Sequence, residues 1–263
     1  MKLFAMQWLG AVLLLFLCSA FATQDRGPGE IEKLYQQGLD AYSSPVPDYA
    51  AASASWTAAL ELTPGANAAE RARLCKSLGN VAFRQERPLE AAAWFSAAIR
   101  LTPRDSDAWA NLELARTKAG LEPADRGDLA ATFDRVVHSL SLAEAEWLAL
   151  CAALGIASLI VLRALVFGRA ATRWLALSTA LGALAVVPWC VQLLESGRDP
   201  MFVISTAGVA VQSEPRAAAT KVALLSAGAR ADRLEELAGW VRVATEHGER
   251  GWVPAETLLA LRR

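Results

Sequence analysis

The chain has 263 residues, of which 54% are hydrophobic, and its formal net charge at pH 7 is −1. A charge so close to zero gives no electrostatic case for nucleic acid or any other polyanion as a partner. The four cysteines and two histidines are scattered along the sequence, so no cluster predicts a metal site. The catalytic motifs Gly-x-Ser-x-Gly, His-Glu-x-x-His and Gly-x4-Gly-Lys-Ser/Thr are absent. We therefore expect a protein that is not an enzyme and binds no cofactor.

The first 22 residues have the pattern of a secretory signal peptide. Lys2 precedes an apolar run from Leu9 to Cys18, and the stretch ends in an Ala-x-Ala sequence at residues 20–22. A basic start, a short apolar region and small residues at the end are the three parts that export signals share. Residues 1–22 are therefore predicted to be a signal peptide, and the residues after them to be exported.

A repeat follows the predicted signal. Residues 52–64 and 91–103 share one spacing, in which a small residue is followed by an aromatic, a second small residue and a proline. A small residue lets a neighbouring helix approach closely, the aromatic ring fills the gap beside it, and proline ends the helix. The spacing predicts an array of antiparallel helices over residues 23–128.

These residues resemble tetratricopeptide repeats over about residues 30–120. The family motif falls on Leu78, Gly79, Ala91, Phe95, Ala98 and Pro103. The resemblance implies a peptide-binding groove lined by the first helix of each repeat. The side chains that would face this groove are Arg73, Lys76, Asn80, Phe83, Arg84 and Asn111.

Two interpretations of the groove residues are open. Lys76, Asn80 and Asn111 match three positions of the family's carboxylate clamp, which implies a C-terminal carboxylate or an acidic peptide as the ligand. Asparagine is also common at these places in the repeat consensus, and the charges are equally typical of a solvated helix face. Residues 129–145 are predicted to form an amphipathic connector after the array.

Two apolar stretches, 146–167 and 174–194, flank a short loop at 168–173. Neither stretch has a polar face, which favours membrane helices over a pair of core helices. Arg163, Arg169 and Arg173 lie at or near the loop, and basic residues are retained on the cytoplasmic side of short loops. The pattern predicts a transmembrane hairpin in a multi-pass protein of the bacterial inner membrane, with the flanking regions in the periplasm.

Residues 200–263 change to the short runs typical of strands. Six such runs are separated by turn residues, and in residues 240–243 apolar and polar side chains alternate. This pattern predicts a small all-β barrel with one buried and one exposed face.

This segment resembles a bacterial SH3-type domain. The resemblance lies in Ser213-Glu-Pro215, Gly239-Trp-Val-Arg-Val243 and Gly251-Trp-Val253. It implies recognition of cell-wall glycan or peptide. Trp240 and Trp252 are the tryptophans available for such a surface, and the alternative is that they belong to the core or the wall of a groove.

The order of signal, repeats, hairpin and SH3-type domain resembles the tetratricopeptide protein of Bat-type aerotolerance operons. Residues 111–116 and 209–215 contribute most to this resemblance. It implies three partners: membrane proteins with von Willebrand factor A domains, a large Bat-type membrane protein and, indirectly, a MoxR-type ATPase. One functional hypothesis is thus a membrane-anchored periplasmic scaffold linked to oxygen or stress tolerance. The alternative is a protein that binds or senses peptidoglycan through the SH3-type domain.

Overall fold

The computed structural model describes residues 28–65, 67–123, 133, 136–137, 139–165 and 172–261. The predicted signal peptide lies outside the described residues, as do most of the predicted connector at 129–145 and most of the loop at 168–173. The described residues form seven helices followed by a seven-stranded sheet.

The helices are α1 (Pro28–Ser43), α2 (Tyr49–Leu62), α3 (Ala68–Arg84), α4 (Pro88–Leu101), α5 (Ser106–Lys118), α6 (Leu142–Leu165) and α7 (Thr172–Ser196). The strands are β1 (Pro200–Val203), β2 (Val209–Gln212), β3 (Lys221–Leu225), β4 (Arg230–Leu237), β5 (Trp240–Thr245), β6 (Arg250–Pro254) and β7 (Leu258–Ala260).

Polar capping residues fix where α2, α3 and α5 begin. The side chains of Asp48, Asn67 and Asp105 each accept a hydrogen bond from a backbone N–H in the first turn of α2, α3 and α5. Pro88 occupies the first position of α4, where the missing N–H is no loss. Each of α1 to α4 packs on the next helix, and the short turns between them make neighbours antiparallel.

Glycine and aromatic residues form the same contact twice in this array. A Cβ added to Gly38 in α1 would lie 2.7 Å from Cδ1 of Trp56 in α2. A Cβ added to Gly79 in α3 would lie 2.7 Å from Cε1 of Phe95 in α4. The repeated spacing in the sequence thus corresponds to a repeated close approach of two helices around one ring.

Helices α6 and α7 form a hairpin in which Gly182 packs on Ile156. Within the described residues, no helix has both the length and the apolar character needed to cross a membrane. The predicted transmembrane hairpin at 146–167 and 174–194 is therefore wrong, and so are the inner-membrane localisation and the membrane partner that depend on it. In α6, only sixteen uncharged residues separate Glu146 from Arg163, about 24 Å of helix against a ~30 Å hydrocarbon core. In α7, Pro188 lies inside the helix, where its missing N–H removes one backbone hydrogen bond.

The strands form one antiparallel sheet in the order β3-β2-β6-β5-β4-β1-β7. The SH3-like region fits the prediction of a small all-β domain, but the structure differs from the predicted six-stranded barrel on two points. The sheet is open, because β3 and β7 end the order and are not paired with each other in the described residues. A seventh strand, β7, follows a single 3₁₀ turn at Ala255–Thr257, and its three residues are too few to show an alternating pattern.

Strands β1 and β7 are buried on both faces. Met201 and Val203 point into the core of the sheet together with Leu258. Phe202, on the opposite face of β1, belongs to the hydrophobic core of the helical array, and so does Leu261 just after β7. The core of the array therefore extends onto the outer side of β1 and β7, while the sheet keeps a second core on its other face.

Candidate ligand-binding surfaces

The first candidate surface is the face of α3 between α1 and α5, and Arg73 lies at its α1 end. Its guanidinium forms ion pairs with Glu32 at 2.8 Å and with Glu70 at 2.7 Å. The same group lies 3.6 Å from the ring centroid of Tyr35 in α1. Partial burial lowers the pKa of Arg73, but the hydrogen bonds to both carboxylates outweigh it and the net pKa is raised. Arg73 thus joins α1 to α3.

Lys76 is also engaged within the chain. Its Nζ lies 2.7 Å from a carboxylate oxygen of Asp105, the residue that caps α5. Burial raises the pKa of Asp105. The hydrogen bonds from Lys76 and from the backbone of Ala108 lower this pKa by more, so the net pKa is below its ordinary value. One carboxylate therefore both caps α5 and ties that helix to α3.

Asn80 and Asn111 meet in the middle of the surface. The amide Nδ2 of Asn111 donates to Oδ1 of Asn80 at 3.5 Å, and both residues are half-buried. An asparagine side chain has two donor hydrogens and one acceptor oxygen. After this contact, both side-chain amides can still form hydrogen bonds with a peptide backbone.

The far end of the surface is basic and aromatic. Nζ of Lys118 lies 4.9 Å from the ring centroid of Phe83 and 2.6 Å from a carboxylate oxygen of Glu86. Arg84 lies near Tyr42, and interaction with the hydroxyl of Tyr42 raises the pKa of Arg84. In the described part of the chain, no ion pair between Arg84 and a carboxylate is found.

The six predicted groove residues are thus brought together, but three of their partners could not be assigned from the sequence. Glu32 and Tyr42 come from α1 and Asp105 from the cap of α5, and only the tertiary arrangement of the helices brings them beside α3. The surface also gains Lys118, which lies outside the motif positions. The predicted clamp is altered as a result, because Lys76 is already neutralised by Asp105.

The second candidate surface is the outer face of the sheet across β4, β5 and β6, which we call the tryptophan face. Trp240 is opposite Leu237 on β4 and Pro254 on β6. Arg242 is opposite Trp252 on β6. Because residues opposite each other or two apart share a face, all five side chains lie on one side of the sheet. Trp240 and Trp252 are diagonal neighbours on that side.

The members of the tryptophan face differ in exposure. Trp252 is 9% exposed, which places it in a buried wall rather than at the accessible surface. Trp240 is half-buried and offers part of its ring to solvent, while Arg242 and Leu237 are exposed. Arg242 lies 3.7 Å from Glu235, its neighbour across β4, in a solvent-accessible pair. The accessible part of this face therefore includes Arg242, Leu237 and part of the Trp240 ring.

Sequence reasoning missed Gln212. It lies opposite Trp252 on β2, is largely buried, and donates from Nε2 to the carbonyl of Ala217 at 3.4 Å. This bond holds the 213–219 loop beside the tryptophan face. Gln212 ends a short strand just before the Ser213-Glu-Pro215 sequence, and that position is the one signal that marks it.

Gly251 lets β2 and β6 approach closely. A Cβ at Gly251 would lie 2.5 Å from the carbonyl oxygen of Gln212 and 2.6 Å from a side-chain carbon of Val211. The Gly-Trp-Val sequence therefore has a physical explanation: glycine admits the neighbouring strand and the next residue, Trp252, faces outward.

Within the ranges that the structure describes, no three His, Cys, Asp or Glu side chains are grouped so that they could hold a metal ion.

No curated protein matches the chain. Residues 207–258, which contain β2 to β6, match the family model of the bacterial SH3 domain. The match does not extend to α1–α5, so the tetratricopeptide and Bat-type resemblances remain predictions. The predicted SH3-type domain is confirmed: this segment of the chain is a bacterial SH3 domain.

Proposed function

We propose that this protein binds the cell wall, with peptidoglycan as the ligand of its SH3 domain, and that it is not an enzyme. The observation that carries the proposal is the tryptophan face, where Trp240 and Arg242 lie on the accessible side of the bacterial SH3 domain. A partly exposed indole ring provides a flat apolar surface for a sugar ring or a peptide side chain. An arginine beside it provides a fork of donors for a carboxylate.

Peptidoglycan presents both of these chemical groups, because it combines sugar rings with short peptides that carry carboxylates. The pair between Arg242 and Glu235 is exposed, so a ligand carboxylate can replace Glu235 at little cost. Little of Trp252 is accessible, so this side chain supports Trp240 and Arg242 from behind and does not contact the ligand itself.

A pelleting assay tests this proposal with the full chain. Purified, insoluble peptidoglycan is expected to pull the wild type out of solution, and Trp240→Ala should weaken this binding about tenfold or more. Trp109→Ala is the matched control, because Trp109 is a partly exposed tryptophan on α5, far from the tryptophan face in the sequence. Equal pelleting by the two variants, with folding confirmed by circular dichroism, would show that the tryptophan face is not the ligand site.

A second candidate function is a protein-binding scaffold that uses the α3 surface. The observation that favours it is Arg84, which is exposed and lies one turn from Asn80 on the same face of α3. An acidic peptide or a C-terminal carboxylate could accept hydrogen bonds from Arg84 and Asn80 together. If the helical region is a tetratricopeptide array of the Bat type, von Willebrand factor A proteins and a large Bat-type protein are its candidate partners, with a MoxR-type ATPase further away.

Two peptides that differ only at the C-terminus test this second candidate. A peptide with a free carboxylate should bind the wild type more tightly than its amidated form, and Arg84→Glu should abolish the difference. Lys33→Glu is the control, because Lys33 is an exposed cation of α1 outside the predicted groove set. If the two peptides bind the wild type equally, the groove has no preference for a carboxylate and this candidate is wrong.

A further inference from the structure

Glu235 and Arg242 are opposite each other on the tryptophan face but do not hydrogen-bond. Their nearest charged atoms, Oε2 of Glu235 and Nη1 of Arg242, are 3.7 Å apart, beyond hydrogen-bond distance. By comparison, Nε of Arg233 donates to a carboxylate oxygen of Asp199 at 2.7 Å. Among the described residues, neither the Glu235 nor the Arg242 side chain makes a hydrogen bond. The donors of this guanidinium and the acceptors of this carboxylate are therefore both available to a ligand.

A β-bulge in β4 brings Glu235 onto this face. Arg233 is opposite Val243 and Glu235 is opposite Arg242, so β4 has one residue more than β5 between these two pairs. In a regular register Glu235 would instead be opposite Val241, which is buried in the core of the sheet. Bulges often re-aim one side chain in this way beside a functional site. The irregularity places a carboxylate next to Arg242 on the accessible side of the sheet.

Other side chains on the same side surround this pair. Trp240 lies two residues from Arg242 along β5, about 7 Å away, and part of its ring is accessible. Arg250 on β6 points to the same side, is exposed and has no side-chain partner in the described part of the chain. Asp232, which also points to this side, lies 3.8 Å from Arg198. The site thus combines an apolar ring with a carboxylate and two guanidinium groups.

We propose that Glu235 and Arg242 together bind an α-amino-acid head, a group that carries an ammonium and a carboxylate on the same carbon atom. This inference rests on the proposed cell-wall function and names the part of the wall peptide that the tryptophan face recognises. A lone carboxylate beside Arg242 would be repelled by Glu235, and a lone ammonium beside Glu235 would be repelled by Arg242. A head with both charges neutralises both residues and uses their free donors and acceptors. The pair therefore selects this head against ligands with a single charge.

Diaminopimelate supplies such a head within wall peptides, at the end of its side chain. The methylene groups of that side chain can lie on the accessible part of the Trp240 ring while the head lies between Glu235 and Arg242. Lysine, which takes the same place in other peptidoglycans, ends in an ammonium alone. A free amino acid carries the same head without the peptide. The site is therefore expected to prefer diaminopimelate peptides over lysine peptides.

Soluble tripeptides test the head by calorimetry on the full chain. Alanyl-γ-glutamyl-diaminopimelate is compared with the forms acetylated at the outer amine or amidated at the outer carboxylate, and with the lysine tripeptide. The wild type should bind the unmodified tripeptide about fivefold more tightly than each of the others. Glu235→Gln should remove the preference over the acetylated form, and Arg242→Gln the preference over the amidated and lysine forms.

Glu236→Gln is the matched control for the two variants. Glu236 is the next residue on β4 and also belongs to an exposed ion pair, with Arg233 at 3.4 Å. It is opposite the buried Val241, so it lies on the other side of the strand. This variant should keep every preference of the wild type. If the preferences also persist in both Glu235→Gln and Arg242→Gln, the head is bound elsewhere and the proposal is wrong.

Equal binding of all the tripeptides by the wild type would overturn the proposal. If that protein still pellets with insoluble peptidoglycan through Trp240, the cell-wall function stands and only the recognition of the head is wrong. A wild type that prefers the unmodified tripeptide but does not pellet would support the head and contradict the cell wall as its source. Free alanine provides the same distinction: displacement of the tripeptide by equimolar alanine would indicate a free amino acid as the ligand, whereas no displacement would support the wall peptide.

Discussion

Gly79 lies directly against the ring of Phe95, so closely that a Cβ at position 79 would be 2.7 Å from the aromatic Cε1. Phe95 is almost completely buried in the core of the array, and the ring has no room to move. The contact shows why the repeat needs both residues: the missing side chain of one makes space for the ring of the other.

Gly79→Ala is therefore expected to destabilise the fold. Overpacking against a fixed ring should lower the free energy of unfolding by about 1–3 kcal/mol, measured by urea denaturation. Gly155→Ala is the control, because a Cβ at Gly155 in α6 meets no other atom. That change should raise the free energy of unfolding by about 0.5–1 kcal/mol through the helix preference for alanine. A stabilising Gly79→Ala would contradict the tight packing.

Arg71 stabilises the C-terminal end of α2 from a buried position. It is 6% exposed, and its Nη1 donates to the carbonyl oxygens of Leu60 at 3.3 Å and Thr63 at 2.8 Å. Arg71→Met keeps most of the apolar stem but leaves both carbonyls without this donor, so we expect a loss of about 2–3 kcal/mol in the free energy of unfolding. Arg73→Met, which removes a more exposed arginine two residues away, should cost less than about 1 kcal/mol. Similar losses for the two variants would refute the role of Arg71 as a cap.

Asp105 makes the stability of the array depend on pH. Its folded-state pKa is below the ordinary value, so its contribution is present above the ordinary pKa and is lost as the pH falls through the folded value. Asp105→Asn should lower the free energy of unfolding by about 0.5–1 kcal/mol at neutral pH, since asparagine still caps α5 but cannot pair with Lys76.

At about pH 2.5, where the carboxyl of the wild type is protonated in the unfolded chain, the difference between wild type and Asp105→Asn should shrink. Asp107→Asn, at an exposed position in the first turn of the same helix, is the control. A difference between wild type and Asp105→Asn that is the same at both pH values would mean that the ion pair with Lys76 contributes nothing.

Phe202 connects the sheet to the array, and its removal should weaken both. The side chain is 0% exposed and lies in the core of the helices although it belongs to β1. Phe202→Ala is expected to cost about 3–4 kcal/mol, and helix and sheet should unfold in one transition. Leu224→Ala, at a largely exposed position on β3, should cost less than about 0.5 kcal/mol. A separate unfolding transition for the sheet in hydrogen exchange would show that the packing of Phe202 does not couple the two parts.

The helices could be predicted from the sequence because their signals are local. The repeated small, aromatic and small residues occupy one face of a helix, and prolines and capping residues mark the ends. The tryptophan face was also predictable, since alternation along β5 separates Trp240 and Arg242 from Val241 and Val243. Both patterns depend on positions no more than a few residues apart.

The errors arise where one pattern has two physical explanations. A long uncharged helix is typical of a membrane span, but the same residues also form seams spaced for helix packing, as Ala145, Ala152 and Ile156 show. Hydrophobicity alone does not separate these cases. Strand β7 was missed for a different reason: its three residues are held by pairing with β1, a contact between distant parts of the chain.

Because β1 and β7 are buried on both faces, this SH3 domain cannot be excised or moved into another protein without exposing apolar surface. The segment that matches the family, residues 207–258, omits β1 and ends at the first residue of β7. These are the strands whose outer faces form part of the helical core. Transplanted into another protein, the segment would lose one edge of its sheet, and an excised piece that included both strands would expose Phe202 and Leu261 to water. The smallest unit that keeps all of its apolar surface covered includes both the helices of the array and the sheet.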